Sequence, residues 1–221
     1  MPKDTLIFDL DGTLIDSIHG IAASLNAALA EVGRPAIGLD AVKVMIGEGG
    51  RKTVTLGLDA TGGSDGIDIE AVFQSWTRTY IDIEVAKTEP YPGVISTLGL
   101  LAAQGFRLGL CTNKTRHVVT PILEAAGLAR FFGRAIVTPE DTPYPKPDGR
   151  HVLATIDMVG GEPARSVYVG DSEIDHAAAL DARIPMILVS YGYPRGRLTD
   201  MTADAVIDDF CALPAILRRW G

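Results

Sequence analysis

The stretch "TLIFDLDGTLIDS", residues 5–17, decides the fold. An apolar, β-rich run reaches two carboxylates, Asp9 and Asp11, one residue apart, and passes at once into Gly12 and Thr13. Read as an extended strand over 5–10, the two acidic side chains project from the same face. Carboxylates about 4 Å apart repel by roughly 4 kcal/mol at an effective dielectric of 20, so they share a proton or bind a cation. A strand closed this way implies a site at its carboxyl end.

The remaining sequence repeats the pattern. Short apolar runs at 106–113, 134–138, 166–171 and 185–190 read as buried strands. Segments 94–104, 115–126, 150–158 and 174–182 between them have helical periodicity. Apolar strands alternating with helices predict an α/β class, a Rossmann-like parallel-sheet core whose chemistry gathers beyond the carboxyl strand ends. One interval breaks the alternation: residues 16–88 lack a buried strand and contain helix-like stretches at 18–32, 41–46 and 70–83, with the glycine tract "TGGSDG" at 61–66. The expected organisation is a catalytic core of 1–15 and 89–221 with an inserted all-helical cap of 16–88. Pro90, Pro92 and Gly93 mark the return to the core.

Composition narrows the function. The chain has 221 residues, 47% hydrophobic and 22% charged, as in ordinary globular proteins, and carries a net charge of −8. That acidity, with no run of Lys or Arg, argues against nucleic acid and anionic membrane as partners. No apolar stretch is long enough for a membrane span and no signal peptide is evident, so a cytoplasmic protein, monomer or homodimer, is expected. Cys111 and Cys211 make neither a disulfide framework nor a zinc site, and each is expected to be a buried small hydrophobe. The four histidines have no metal-ligand spacing, and His117 and His176 are expected on helix surfaces.

The polar residues at the other strand ends give the pair at Asp9 and Asp11 its company. They are Thr112, Asn113 and Lys114, then Lys146 with Pro147, then Asp171 and Asp175 in "VGDSEID". Each alone is ordinary cap or turn chemistry. Their convergence on one sheet edge is not. An oxygen-rich acidic set without His or Cys favours Mg²⁺, which usually engages a phosphate. Thr112, Asn113 and backbone N–H groups around Gly12 are placed to hold phosphoryl oxygens, with Lys146 supplying positive charge. This describes phosphoryl transfer without a P-loop. The one Walker-like stretch, "GEGGRKT" at 47–53, has Arg51 between its last glycine and the lysine, and helix-like sequence before it.

"DLDGTL", "TN", "KP" and "GDSEID", in this order, resemble the four signatures of the haloacid dehalogenase superfamily. More narrowly, "DLDGTLIDS", "IGEGGR", "TNK" and "SYGYPRG" are similar to the bacterial phosphoglycolate phosphatases. The resemblance implies that Asp9 is the nucleophile and forms an aspartyl-phosphate. Asp11 becomes the general acid and base, and its presence argues against dehalogenation. Mg²⁺ is then held by Asp9, Asp11 (through its carbonyl), Asp171 and Asp175, the last as ligand or orienter. Lys146 neutralises charge, and Thr112 and Asn113 bind the phosphoryl group. "KPDGRHVL" at 146–153 departs from the relatives' usual Lys-Pro-x-Pro, which predicts an altered loop there. Arg51 is the expected cap contact to a small anionic substrate, 2-phosphoglycolate foremost. The alternatives are a pyrophosphatase or other small-phosphate hydrolase, a sugar phosphomutase, and a non-catalytic phosphoryl-binding module. The mutase branch places a histidine early in the cap, where this chain has Ile21.

Overall fold

The computed structural model describes residues 2–87 and 89–220. Thr88, the expected last cap residue, lies outside them. In chain order the elements are β1 (Thr5–Phe8), α1 (Ile18–Glu31), α2 (Leu39–Lys43), α3 (Gly50–Ala60), α4 (Ile69–Lys87) and α5 (Val94–Ala103). Then follow β2 (Arg107–Cys111), α6 (Arg116–Ala125), α7 (Ala129–Phe132), β3 (Ile136–Val137), α8 (Gly149–Met158) and β4 (Ser166–Gly170). The chain ends with α9 (Glu173–Asp181), β5 (Met186–Val189), β6 (Ala205–Ile207) and α10 (Leu213–Arg219). The sheet is six-stranded, ordered β3-β2-β1-β4-β5-β6, with every pairing parallel. β1 lies between β2 and β4, in register Phe8 with Leu110 and with Val169.

Period-two alternation divides the core into two layers. Leu6 and Phe8, Val167 and Val169, and Ile187 and Val189 face one cluster, which continues through Leu25, Trp76 and Tyr80 of the inserted helices. Ile7, Cys111, Tyr168, Met186 and Leu188 face the other, against Val152, Ile156 and Ala178. Both faces of the central strands are thereby covered, as the unbroken apolar runs require.

Helices α1–α4 all fall between β1 and α5. The two crossings to them run side by side: Ile15 bridges Pro90, and Tyr91 N–H donates to the Leu14 carbonyl at 3.0 Å.

Three readings of the sequence change. The first strand stops at Phe8, because the Leu10 carbonyl accepts from the N–H groups of Thr13, Leu14 and Ile15 and turns the chain there. Asp11 therefore stands within a turn, while Asp9 lies just past the strand end with its N–H still donating to the Val169 carbonyl at 3.0 Å. A sixth strand, β6, adds to the five expected; it has three residues at the sheet edge, and Val206 is exposed. Cys211 is exposed rather than buried. It lies on a short 3₁₀ turn where Phe210 takes the buried position.

Candidate active site

The carboxyl ends of β1, β2 and β4 bring the acidic and basic side chains together around one buried lysine. Lys146, 4% exposed, follows from a loop with a cis bond to Pro147. Its ammonium donates to Asp9 Oδ1 at 2.6 Å, Asp175 Oδ1 at 2.7 Å and the Tyr168 hydroxyl at 3.0 Å. Asn113 fixes the lysine's backbone. Its Oδ1 accepts from Lys146 N at 2.9 Å, and its Nδ2 donates to the Lys146 carbonyl at 2.9 Å and to Gly47 in the inserted region at 2.8 Å.

Asp175 serves two structures at once. It is the third residue of a capping box with Ser172 at the start of α9, the cap role that an acid at a helix start ordinarily has. Oδ2 accepts from the N–H groups of Asp171 and Ser172 at 3.2 Å each and from Ser172 Oγ at 2.7 Å. Oδ1 accepts from Lys146 and, at 2.9 Å, from the Tyr168 hydroxyl. Asp171 accepts from Thr13 Oγ1 at 3.1 Å and from Tyr193 N at 2.6 Å. The acids need bare backbone beside them: a Cβ on Gly12, whose φ is +78°, would run into the Asp171 carboxylate, and one on Gly170 would meet Asp175 Cβ at 2.6 Å.

Asp11 is held differently. It accepts from Ser17 Oγ and pairs with Lys114, whose ammonium lies 4.9 Å from the centre of the Tyr80 ring. Thr112 Oγ1 accepts from Lys114 N at 3.1 Å, and the Thr112 carbonyl lies 3.2 Å from His151 Nε2. Burial and the nearby Lys146 lower the His151 pKa, so the neutral ring donates through Nε2.

These groups open onto a cavity of about 50 Å³ between the sheet edge and the inserted helices. Asp9, Asp11, Thr112, Asn113, Lys146 and Asp171 line it from the core. Ile21, Gly47, Gly49, Gly50, Thr53 and Trp76 line it from the inserted region. The sequence's glycine-rich stretch thus forms one wall, and Gly50 is bare because a Cβ there would strike the Trp76 ring. Arg195 clasps this wall to the core, donating to Glu48 Oε1 and the Ile46 carbonyl at 2.7 Å each.

Of the expected residues, Gly12 lies against Asp171 and is not among those lining the cavity. Asp175 is behind Lys146. Arg51 is not among the lining residues. It pairs with Glu70 and lies over the Phe73 ring, on the exposed side of α3 and α4. Sequence reasoning assigns no role to Lys114, Ser17, Tyr168 or Tyr193. Lys114 stands directly after Thr112 and Asn113, the expected phosphoryl-binding pair, which is a usable signal. Tyr193 meets Asp171 across 22 residues, a contact no local pattern shows.

Asp9, Asp171 and Asp175 each offer a carboxylate oxygen, all within 4.8 Å of one another and all buried. Hard oxygen donors without nitrogen or sulfur fit a hard divalent cation. Electrostatics fit it too. Burial, then the charge of Asp175, raise the Asp9 pKa to about 7 despite Lys146. Burial, then Asp175 and Asp9, push Asp171 well above the carboxylate range. Asp175 itself is lowered; although burial is the largest influence and opposes this, Lys146 and the hydroxyl donors outweigh it.

The pH dependence follows. Asp9 and Asp171 bind protons more tightly folded than unfolded, so their ionisation destabilises the fold as pH rises, for Asp9 from about 4 through 7. The stabilising contribution of Asp175 is lost only as pH falls below the ordinary carboxylate range, outside that window. The metal-free protein should therefore melt at a lower temperature at pH 8 than at pH 5.5. Added divalent cation should raise the melting temperature more at pH 8, and scanning calorimetry with EDTA or MgCl₂ checks both.

The chain is similar over most of its length to known proteins. A model of the haloacid dehalogenase-like hydrolase family matches residues 6–189. A phosphoglycolate phosphatase of Agrobacterium fabrum is 39% identical over 217 residues, covering 96% of this chain and 92% of its own length. One from Caulobacter vibrioides is 37% identical over 211 residues, covering 95% and 89%. The crystal structure of a protein described as a predicted phosphoglycolate phosphatase from Haemophilus somnus superposes with a TM-score of 0.87 at 30% identity, covering 97% of both chains. Among the described residues, no helix is long and apolar enough to cross a membrane.

Proposed function

The chain belongs to the haloacid dehalogenase-like hydrolases as a phosphatase, and from that premise we propose that it hydrolyses 2-phosphoglycolate with Mg²⁺ bound, through an aspartyl-phosphate on Asp9. The observation that carries this reading is the separate holding of two neighbouring carboxylates on one cavity: Asp9 by Lys146, Asp11 by Lys114 and Ser17.

In the first step an Asp9 carboxylate oxygen attacks phosphorus, and the bond from phosphorus to the ester oxygen breaks. Asp11, protonated, delivers its proton to that departing oxygen. In the second step Asp11 takes a proton from water, whose oxygen attacks the phosphorus. The bond to Asp9 then breaks, releasing phosphate and restoring the carboxylate. Lys146 keeps Asp9 Oδ1 in place, leaving Oδ2 for attack, and offsets negative charge beside the phosphoryl group. Thr112 offers its hydroxyl proton to a phosphoryl oxygen. Asn113 acts on the site by holding the Lys146 backbone against the Gly47 wall.

The residues that would hold Mg²⁺ are Asp9, Asp171 and the Asp11 carbonyl. Asp175 acts as a further ligand or, through its contacts to Lys146 and the amides of Asp171 and Ser172, as an orienter. When bound, the ion neutralises the clustered carboxylates and the phosphoryl oxygens.

Substrate size supports the same reading. A buried water needs about 10–15 Å³ of such space, so a cavity of about 50 Å³ suits a small ester. A sugar phosphomutase is disfavoured by Ile21, which lines the cavity and has no proton-transferring group. The test is phosphate release from small phosphoesters, phosphonates, hexose phosphates and pyrophosphate. Expected is Mg²⁺-dependent release that is greatest with 2-phosphoglycolate, abolished by EDTA and restored by MgCl₂. Pyrophosphate as the best substrate, or an isomerised sugar phosphate, would overturn the assignment.

A further inference from the structure

An anionic leaving group needs a cation, and the expected one faces away. Arg51 pairs with Glu70 on an exposed surface. Among the residues lining the cavity the basic ones are Lys146 and Lys114. Lys146 is enclosed by Asp9, Asp175 and Tyr168.

Lys114 has the properties required. Its side chain is 10% exposed, and its ammonium sits against Asp11 and over the Tyr80 ring, where the core meets α4 of the inserted region. Asp11 is the group that protonates the departing ester oxygen, so whatever touches Asp11 lies on the leaving-group side of phosphorus. In a glycolate leaving group the carboxylate carbon is two bonds from that oxygen. A cation at Asp11 is therefore within reach of it, whereas one on the outer side of α3 is not. The opposite wall helps: α3 begins at Gly50 behind Gly49, both of which line the cavity, and no side chain caps its first-turn N–H groups.

We propose that Lys114, not Arg51, is the specificity-determining cation, selecting phosphoesters whose leaving group carries a carboxylate close to the ester oxygen. The inference rests on the phosphatase reading and on the placing of Asp11 beside the departing oxygen.

The experiment compares kcat/KM for 2-phosphoglycolate and ethyl phosphate, which have the same two-carbon skeleton with and without the carboxylate. Wild type, Lys114→Met, Lys114→Arg and Arg51→Ala are assayed with Mg²⁺, after folding is checked by circular dichroism. Wild type should prefer 2-phosphoglycolate. Lys114→Met has no ammonium to donate to the leaving-group carboxylate, and its preference should be about 30-fold smaller. Lys114→Arg should keep most of the preference, and Arg51→Ala should keep it within about 3-fold, as for an exposed ion pair. If Lys114→Met lowers both esters alike, or Arg51→Ala is the variant that loses the preference, the proposal is wrong. Wild-type turnover without any carboxylate preference overturns it alone. Absence of turnover on both esters overturns the 2-phosphoglycolate reading and this inference with it.

Discussion

Replacing Asp9 by Asn is expected to remove turnover of 2-phosphoglycolate by on the order of 10⁴-fold or more while raising the melting temperature of the metal-free protein. The two effects share one cause. The Asp9 carboxylate is nearly enclosed, and burial together with the charges of Asp175 and Asp11 holds its pKa at about 7 against the attraction of Lys146. The fold therefore disfavours the ion that the chemistry needs. An amide keeps the shape and still accepts from Lys146 through its oxygen, but it adds no charge to the cluster and cannot open a phosphoryl bond. At pH 8 in EDTA the variant should melt higher, by about 2–4 °C for each kcal/mol of relieved repulsion in a chain of this length. With MgCl₂ the wild type should recover most of the difference, because its third carboxylate then has a cation to face. A lower melting temperature for the variant in EDTA would mean that the pair with Lys146 outweighs the repulsion. The proposed nucleophile and the source of instability are then one group, as expected where a site holds strain for function.

The parts of this arrangement that are legible in the sequence are those fixed by local pattern. The layering of the sheet is present in the alternation of Leu6, Ile7 and Phe8 and in the unbroken apolar runs of β2, β4 and β5. The acids are legible because two carboxylates at a strand end have few structural excuses, and Lys146 because a lysine recurs with them. What depends on long-range geometry is not. Strand 1 reads two residues too long, since nothing local says that the Leu10 carbonyl collects three amides. β6 is invisible because three residues with Val206 exposed make no period. Arg51 is suggested by its charge beside glycines, but the turn of α3 directs it to Glu70, whereas Gly49, Gly50 and Thr53 take the inner face. The pairing of Lys114 is hidden because its partner, Asp11, is 103 residues away. Asn113 reads as a phosphate ligand; it lines the cavity, and its side-chain amide bonds the Lys146 backbone and Gly47, contacts no local pattern shows.

Lys146→Met should be the most destabilising single change at the site, by about 3–5 kcal/mol at pH 8, since it leaves Asp9 and Asp175 as buried carboxylates without their shared cation. The lysine side chain is 3% exposed. Although its burial alone would lower its pKa, Asp175 and Asp9 raise it above the ordinary lysine value, so its contribution is complete throughout the neutral range and is lost only in strong base. Methionine matches the stem in length, which confines the change largely to the ammonium and its bonds to Asp9, Asp175 and the Tyr168 hydroxyl. Without the ammonium, Asp175 loses the strongest attraction that lowers its pKa. Asp9 loses the attraction that opposes its burial. Both carboxylates then take up protons more readily when folded, and the destabilisation must shrink as pH falls. Urea unfolding midpoints of wild type and variant should therefore differ widely at pH 8 and much less at pH 5. An equal difference at the two pH values would place the loss in packing instead. Activity should fall by about 10³-fold as well, because the same ammonium that holds two carboxylates in the resting fold offsets the charge of the phosphoryl group during transfer.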